Sequence, residues 1–201
     1  MDAIVMAGGL TQRLGMEEKA CVMLMDRPLI NYLLDSLLGA MHIDRVFVQL
    51  SSYSPDTEDC VKRNYRNRVS VLRTSGDNYV GDMVAAVRES GSSGPVMVLM
   101  PDLPLVTSEH IDMIAKAYGE CGFPAMSVYV PIGLYRKLGL RPGTVFNKKG
   151  VMIVPVGINI LDSLTIDEEQ ENYDHVVEIP EVAINVDSVE SLRKCQDMLL
   201  K

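Results

Sequence analysis

The sequence lacks several features that would assign a function directly. Its apolar runs are too short to span a bilayer, and no basic, cleavable leader precedes the first apolar segment, so neither a membrane span nor a signal peptide is predicted. The four cysteines form no Cys-x-x-Cys pair and have no histidines at metal-ligand spacing, which favours reduced thiols in a cytoplasmic protein. Basic charge is also scarce, and a net charge of −8 argues against nucleic acid as a partner.

Two common phosphate-binding motifs are missing as well. A P-loop needs Gly-Lys-Ser/Thr after its second glycine, and the dinucleotide fingerprint needs Gly-x-Gly-x-x-Gly, whereas the first glycines of this chain are Gly8, Gly9 and Gly15. A dinucleotide-dependent oxidoreductase is therefore disfavoured. No histidine follows a predicted catalytic strand, so the sequence offers no obvious general base.

The N-terminal segment nevertheless has the pattern of an anion-binding turn. An apolar run over residues 3–7 predicts a short buried strand that ends at Gly8 and Gly9. Glycines remove the Cβ and allow successive N–H groups to converge on phosphate oxygens. Arg13 and Lys19 then supply cations suited to a phosphate that gains charge during a displacement. The alternative is an ordinary glycine turn with two surface cations.

Predicted strands and helices alternate along the rest of the chain. The predicted strands are Ala3–Ala7, Arg45–Leu50, Val69–Leu72, Pro95–Met100, Ala125–Val130, Val151–Leu161 and Val182–Val186. The predicted helices begin near Pro28, with Asp26 as a cap, and near Pro55, Val80, Ser108 and Ser188. Such alternation predicts an α/β fold with a doubly wound, mostly parallel central sheet and helices on both faces. We expect one domain over residues 1–201, with a basic excursion at about 131–150 and an exposed acidic helix or loop at 167–174.

The spacing Gly-Gly-x-x-x-Arg-x-Gly followed by Lys, from Gly8 to Lys19, resembles the nucleotidyltransferase family that includes sugar-nucleotide pyrophosphorylases and the molybdenum cofactor guanylyltransferase. Within this family the chain resembles, over nearly its whole length, the archaeal GTP:adenosylcobinamide-phosphate guanylyltransferases. The resemblance implies a Rossmann-like nucleotidyltransferase fold and transfer of GMP from GTP to adenosylcobinamide phosphate in cobalamin biosynthesis, with release of pyrophosphate. Transfer to another phosphorylated acceptor, such as molybdopterin, and a non-catalytic nucleotide-binding relative remain as alternatives.

Candidate site residues follow from this motif and from the ends of the predicted strands. The catalytic candidates are Arg13, Lys19 and Asp102. The predicted strand Pro95–Met100 is the most apolar and is expected at the centre of the sheet. A carboxylate that follows it beside the phosphate loop can hold Mg²⁺, so the metal candidates are Asp102 and, by the resemblance, Asp187. The nucleotide-binding candidates are Ala7, Gly8, Gly9, Arg13, Gly15, Lys19, Thr74, Ser75, Gly76, Gly157, Asn159 and Asn185.

Several of these candidates have structural alternatives. Residues 74–76 are typical of a turn before a helix, and Asp102 is also a common turn residue beside proline. Gly157 is typical of a β-bulge inside a strand. Asp187, followed three residues later by Glu190, matches a helix cap.

The distribution of charge indicates where a second substrate binds. Between Glu120 and Asp162 the sequence has no acidic residue but five basic ones, namely Arg136, Lys137, Arg141, Lys148 and Lys149. Five cations without a neutralising carboxylate would attract a phosphorylated acceptor, although a solvated loop explains them too. The expected partners are GTP and a phosphorylated corrinoid. The resemblance, and no other feature of the sequence, implies that the protein forms a homodimer.

Overall fold

The computed structural model describes residues 1–9 and 18–200 of the chain. The candidates Arg13 and Gly15 lie outside this described part. Within it the strands are β1 (Asp2–Met6), β2 (Met23–Leu24), β3 (Arg27–Pro28), β4 (Val46–Leu50), β5 (Ser70–Arg73), β6 (Pro95–Leu99), β7 (Ala125–Pro131), β8 (Phe146–Lys148), β9 (Val151–Asp162) and β10 (Asn172–Val176). The helices are α1 (Leu29–Gly39), α2 (Pro55–Tyr65), α3 (Tyr79–Ser90), α4 (Ser108–Cys121), α5 (Ile132–Leu138), α6 (Pro180–Ala183) and α7 (Val189–Leu199). None of these described helices has the length and apolar character that a membrane crossing requires.

One large sheet organises the described residues. Seven strands follow the order β10-β7-β9-β6-β1-β4-β5, and β8 pairs with β9 outside this path. The pairs β1–β4, β1–β6, β4–β5 and β7–β10 are parallel, whereas β9 is antiparallel to β6, β7 and β8. Every strand of this sheet except β9 therefore runs in one direction, which confirms the predicted mostly parallel sheet.

Helices cover both faces of the sheet. On one face α1, α2 and α4 contribute buried apolar side chains, including Leu33, Leu34, Leu37, Cys60, Val61, Ile111 and Ile114. On the other face α3 packs through Ala86 and Val87 against apolar residues of β1, β4 and β6. Burying each large apolar side chain contributes about 1.5–3 kcal/mol. Because both faces are covered, β6 at the middle of the sheet is almost entirely apolar, as predicted for a central parallel strand.

Three local predictions are wrong. Asp26 lies in the turn of the β2–β3 hairpin, and Pro28 is the N-cap residue of α1. This hairpin is too short to leave a pattern in the sequence. The predicted strand over 182–186 begins instead as the end of α6, where Pro180 occupies the first turn and the apolar side chains are buried. A short buried run that is mostly apolar does not distinguish a strand from a helix.

The third error concerns the end of the acidic segment 167–174, for which the sequence predicts an exposed helix or loop. Residues 167–171 do form an exposed turn and loop. Its last three residues belong to the edge strand β10, which is parallel to β7 with His175 opposite Val128. Backbone pairing with β7 determines this strand, and its side chains are polar or half-exposed because it lies at the sheet edge.

Strand β9 extends beyond the carboxyl end of β6. Ile160 pairs with β6 on one side and β7 on the other, whereas Ile153 pairs with β7 and with Phe146 of β8. Strand β8 therefore lies on the same side of β9 as β6, past the point where β6 ends. Together with α5, this half of β9 forms a wall above the carboxyl ends of the parallel strands.

Candidate active site

Three adjoining cavities lie at the carboxyl edge of the sheet, where ligands of open α/β sheets bind. The first, the glycine cavity, has a volume of about 380 Å³ and is lined by residues that include Ala7, Gly9, Lys19, Gln49, Gly76, Tyr79 and Asp82. The second, the carboxylate cavity, measures about 340 Å³ and is lined by residues that include Lys19, Asp102, Tyr135, Gly157, Asn185 and Asp187. The third, the arginine cavity, measures about 200 Å³ and is lined by residues that include Tyr135, Arg141, Asn185, Asp187, Ser188 and Glu190. Lys19 borders the first two cavities, and Tyr135 and Asp187 border the last two.

Gly8 and Gly9 have different surroundings. A Cβ on Gly8 would collide with the Gln49 side chain and lie 2.8 Å from the carbonyl carbon of Leu50. The Gly8 N–H donates to Oε1 of Gln49 at 3.0 Å, and its carbonyl accepts from the Ser51 hydroxyl. A Cβ on Gly9 would meet no described atom within 4 Å. The close approach at Gly8 is therefore to the end of β4, whereas Gly9 borders the glycine cavity.

Gln49 joins the glycine turn to the turn after β5. Its side chain is 1% exposed, and its Nε2 donates to the hydroxyl of Thr74 at 2.6 Å. The candidate Thr74 thus supports the turn rather than lining the glycine cavity. Gly76 does line this cavity and has a φ of +81°, which a glycine adopts most readily.

Asp82 on α3 holds the same turn from the other side. Its Oδ1 accepts from the Gly76 N–H at 3.0 Å and from the Ser75 hydroxyl at 3.3 Å. Ser75 therefore also supports the turn and does not line the glycine cavity. The second oxygen of Asp82 has no hydrogen-bond partner among the described residues, although the side chain borders the glycine cavity. This oxygen is an acceptor available to a ligand.

Lys19 and Asp102 form an ion pair between the glycine and carboxylate cavities. Lys19 belongs to a 3₁₀ helix, Lys19–Cys21, and its Nζ bonds Oδ2 of Asp102. Asp102 is 3% exposed, and its Oδ1 is buried without a partner among the described residues. An unpaired buried carboxylate oxygen is costly. A cation or donor from a bound ligand would satisfy it.

The segment before α7 is attached directly to Asp102. The Val186 N–H donates to the Asp102 carbonyl at 2.9 Å, which places Asn185 and Asp187 at the carboxylate cavity. Nδ2 of Asn185 donates to a carbonyl of β9 at 3.1 Å, while its Oδ1 is buried without a described partner. Ser188 is the N-cap residue of α7, so the alternative in which Asp187 is the cap is wrong. The carboxylate of Asp187 accepts a long bond of 3.3 Å from Ser191 and borders the cavity.

Gly157 and Asn159 have different positions along β9. Gly157 has a φ of +78° where the pairing between β9 and β7 shifts register, so the alternative of a β-bulge at this residue is confirmed. Its carbonyl accepts from the Met100 N–H at 3.0 Å, and the residue lines the carboxylate cavity. Asn159 pairs with Val98 inside the sheet and does not line any of the three cavities.

Tyr135 borders both the carboxylate cavity and the arginine cavity. It is 7% exposed, and burial raises its pKa to about 12, with the charges of Asp187 and Asp102 acting in the same direction. Its hydroxyl therefore remains protonated at neutral pH and is available as a hydrogen-bond donor.

The five cations of the acid-free stretch are not equivalent. Arg141 lines the arginine cavity, and Arg136 and Lys137 are exposed in the last turn of α5. Lys148 pairs with Asp174 at 3.1 Å, so the expectation of five unneutralised cations is wrong at this position. The acid comes from β10, which is distant in sequence but reaches β8 across the sheet.

Sequence reasoning did not identify Gln49, Asp82 or Tyr135. Gln49 could have been noticed as a polar residue inside an otherwise apolar strand, and Asp82 as an acid between the apolar positions of α3. Nothing in the sequence marks Tyr135. Its position depends on how α5 folds against the segment before α7.

Two solved nucleotidyltransferases share this fold. A structure of CMP:2-keto-3-deoxy-manno-octonic acid synthetase in complex with CTP has a TM-score of 0.73 at 13% identity, and the match covers 100% of this chain and 99% of that one. A nucleotidyl transferase from Methanothermobacter has a TM-score of 0.67 at 15% identity, with 99% and 97% covered. The fold is therefore the Rossmann-like fold of nucleotidyltransferases, as predicted.

The sequence then identifies the family within this class. The model of the MobA-like NTP transferase domain matches residues 3–133, so the chain belongs to that family and is an enzyme that transfers nucleotidyl groups. A curated relative from Methanocaldococcus jannaschii, named adenosylcobinamide-phosphate guanylyltransferase, is 29% identical over 100% of this chain and 98% of its own length. The resemblance on which the sequence predictions rested is thereby confirmed.

Proposed function

We propose that this enzyme transfers a guanylyl group from GTP to adenosylcobinamide phosphate, with release of pyrophosphate, in the biosynthesis of cobalamin. The full-length relative supports these substrates through its name. The structural observation that carries the proposal is the row of three cavities with the Lys19–Asp102 pair between the first two. In this proposal the glycine cavity binds the nucleoside, the carboxylate cavity the reacting phosphates, and the arginine cavity the acceptor.

Asp82 supports guanine as the base. The Watson–Crick edge of guanine presents two neighbouring donors, the ring N1–H and the N2 amino group, and a carboxylate oxygen is their natural acceptor. Adenine offers no donor at N1. The oxygen of Asp82 that is not bonded to the turn is the group that we assign to this selection.

The reaction needs positioning and charge neutralisation rather than a base. An oxygen of the acceptor phosphate bonds to the α-phosphorus of GTP, while the bond from that phosphorus to the bridging oxygen breaks and pyrophosphate leaves with the electron pair. An acceptor phosphate is already anionic at neutral pH, so no proton has to be removed. Lys19 provides a positive charge where negative charge grows, and the protonated hydroxyl of Tyr135 is a donor at the entrance to the arginine cavity.

Mg²⁺ fits the residues at the carboxylate cavity. The buried, unpaired Oδ1 of Asp102 is an orphaned oxygen ligand, and Asp187 borders the same cavity. The described residues contain no group of three or more His, Cys, Asp or Glu placed to hold a metal. Mg²⁺ commonly uses one or two carboxylates and takes its remaining ligands from water and phosphate. We propose that Asp102 and Asp187 hold Mg²⁺, which would neutralise charge on the nucleotide phosphates.

The arginine cavity fits a phosphorylated acceptor. Arg141 forms no ion pair with any residue in the described ranges, and a guanidinium binds phosphate through two parallel hydrogen bonds. The four cysteines are free thiols, which agrees with a reducing, cytoplasmic setting for the reaction.

A substrate panel tests the proposal. The protein is incubated with adenosylcobinamide phosphate and with GTP, ATP, CTP or UTP in turn, and both pyrophosphate and the mass of the product are measured. We expect a product that has gained the mass of a guanylyl group, which is GMP less one water, with GTP strongly preferred. Asp82→Asn should reduce the preference for GTP over ATP, whereas Glu89→Gln, which removes an exposed charge from the same helix, should not. Transfer to molybdopterin and not to the corrinoid would replace the acceptor named here.

A further inference from the structure

Glu18 is a buried carboxylate beside Lys19 that the proposed reaction does not use. It is 9% exposed and forms no ion pair with any residue that the structure describes. Its Oε1 accepts from the Asp56 N–H at 2.8 Å, and its Oε2 accepts from the N–H and the hydroxyl of Thr57 at 2.6 and 2.5 Å. Three short hydrogen bonds from the first turn of a helix satisfy both oxygens of this buried carboxylate.

Helix α2 receives no cap from its own N-cap residue. Ser54 is of a type that usually caps, yet its hydroxyl accepts from the Ser51 N–H at 2.9 Å and does not bond the helix. The next residue is Pro55, which has no N–H to satisfy.

The remaining donors of the first turn all have partners once Glu18 is included. The Glu58 N–H is already bonded to the Ser54 carbonyl at 3.1 Å. The N–H groups of Asp56 and Thr57 have no partner within the helix, and both donate to Glu18. A residue 38 positions before Asp56 therefore completes the start of α2.

This attachment also fixes the short helix that carries Lys19. The 3₁₀ helix Lys19–Cys21 starts directly after Glu18, and at its other end Sγ of Cys21 lies 3.4 Å from the hydroxyl of Thr57. Both ends of this single turn are thus anchored at the start of α2. From this anchored backbone the Lys19 ammonium extends to Asp102.

We propose that Glu18 is a positioning residue whose contact with the first turn of α2 holds the Lys19 ammonium at Asp102. A lysine side chain is flexible, so the placement of its backbone decides where its charge is found. The kinetic consequence of this inference rests on the proposed function, because it assumes that Lys19 acts on the transferred phosphate. A displacement of about 1 Å at a reacting centre can reduce a rate about 10²-fold.

The first test compares turnover among matched variants. Glu18→Gln keeps the size of the side chain but removes its charge and turns an NH₂ group toward backbone donors. Thr57→Val removes one hydroxyl, and Thr57→Ser restores it. Thr107→Ala is the control, since it removes the N-cap of α4, which does not line the three cavities.

We expect Glu18→Gln and Thr107→Ala to lower Tm to a similar extent, but only the first to lower kcat. The expected loss of kcat is about tenfold or more, because a group that acts in the transition state is displaced. The Kd for GTP, measured by calorimetry, should change less than about threefold, since the binding contacts of the glycine cavity remain. Thr57→Val should show a smaller loss of kcat that Thr57→Ser reverses.

A second readout does not depend on activity. Lysine ammonium groups held in an ion pair give observable NMR signals, and the signal of Lys19 is assigned by its loss in Lys19→Arg. It should be present in the wild type and in Thr107→Ala and absent in Glu18→Gln. A retained signal together with unchanged kcat, or equal losses of kcat in Glu18→Gln and the control, would overturn the inference. If the wild type transferred no nucleotide, the proposed function would fail and the ammonium spectrum would still decide this inference.

Discussion

At the residue scale, Gly8 and Gly9 lie in the same turn but have different surroundings. Gly8 is enclosed by Gln49 and the end of β4, and its N–H is already bonded within the protein. Gly9 borders the glycine cavity, and a Cβ there would meet no described atom. We therefore propose that Gly9, which borders the cavity, is the glycine at which the backbone approaches a phosphate.

The two glycines can be distinguished by adding one methyl group to each. Gly8→Ala should destabilise the fold by about 1–3 kcal/mol, because the new Cβ overlaps a packed strand end. At this chain length that corresponds to a fall in Tm of about 2–4 °C per kcal/mol. Gly9→Ala should keep Tm within about 1 °C of the wild type and raise the Kd for GTP about tenfold, since the backbone no longer approaches phosphate closely. Calorimetric melting and GTP titration measure both, and the opposite pattern would contradict the assignment.

Lys19 pairs with Asp102 in the structure, and a double variant separates this structural role from the chemical role that we propose for it. Lys19→Ala should lower kcat about 10²-fold, the scale of losing one contact to developing charge. It should also lower Tm, because Asp102 is left buried without its cation. Adding Asp102→Asn should restore part of Tm but none of the turnover, measured as pyrophosphate release well below Tm. Restored turnover in the double variant would assign Lys19 a structural role alone.

Asp102→Asn by itself tests the magnesium proposal. The amide keeps the size of the side chain and the turn, but it is a much weaker ligand for Mg²⁺ than a carboxylate. We expect a folded protein that needs roughly tenfold or more Mg²⁺ for half-maximal activity, with a matching loss of Mg²⁺-dependent GTP affinity by calorimetry. Full activity and affinity at low Mg²⁺ would leave Asp102 as a turn residue paired with Lys19.

At the element scale, sequence patterns predict the strands and helices better than their long-range contacts. Apart from the β2–β3 hairpin, the alternation of strands and helices up to β7 is predicted correctly. The strands β1, β4 and β6 are buried almost throughout and the helices are buried on one face, which leaves a clear pattern in the sequence. The same reasoning places Asp102 after the central strand. It fails at α6 and at β10, where the outcome depends on pairing with β7 and on packing rather than on local pattern. Contacts such as that of Gln49 with Gly8 join residues 41 positions apart and are therefore not visible in the sequence.

The bulge in β9 connects the sheet to the site. Gly157 lies at the bulge in β9 and lines the carboxylate cavity. A Cβ built on Gly157 would lie close to Met100 and Asn185. Gly150 in the turn before β9 has a similar φ, +86° against +78°, but a Cβ there would meet nothing within 4 Å. The two glycines share a backbone requirement and differ in their surroundings.

This pair gives a matched test of the bulge. Gly157→Ala and Gly150→Ala should each destabilise the fold by about 1–3 kcal/mol, the cost of a left-handed conformation for a residue with a side chain. Only Gly157→Ala should also reduce kcat or GTP affinity, because its Cβ would lie 2.8 Å from Cγ of Met100 and 3.5 Å from Nδ2 of Asn185. Urea unfolding and steady-state kinetics provide the measurements. Equal kinetic effects of both substitutions would show that the bulge does not support the site.

At the scale of the whole molecule, the uneven charge distribution suggests how an acidic protein attracts an anionic acceptor. The net charge of −8 repels such a ligand on average, yet Arg136, Lys137 and Arg141 form no ion pair within the described residues. The sequence identifies this stretch by its lack of acids. The ion pair of Lys148 with Asp174 cannot be predicted from the sequence, because the two residues meet only through the folding of the sheet. Because of this pair, the basic stretch has one part near the arginine cavity and another part at the sheet edge.

Two charge-matched double variants test this division. One variant is Arg136→Glu/Arg141→Glu, and the other is Lys148→Glu/Lys149→Glu. Both change the net charge by the same amount, but only the first replaces the arginine that lines the arginine cavity. We expect the first to raise KM for the corrinoid phosphate about tenfold at low salt while leaving the Kd for GTP unchanged, and the second to leave both near the wild type. The effect should shrink as ionic strength rises, because the Debye length falls to about 8 Å at 0.15 M. If both variants raised KM equally, long-range attraction by net charge would explain the effect and Arg141 would not contact the acceptor. If the first weakened GTP binding instead, the arginine cavity would belong to the nucleotide site.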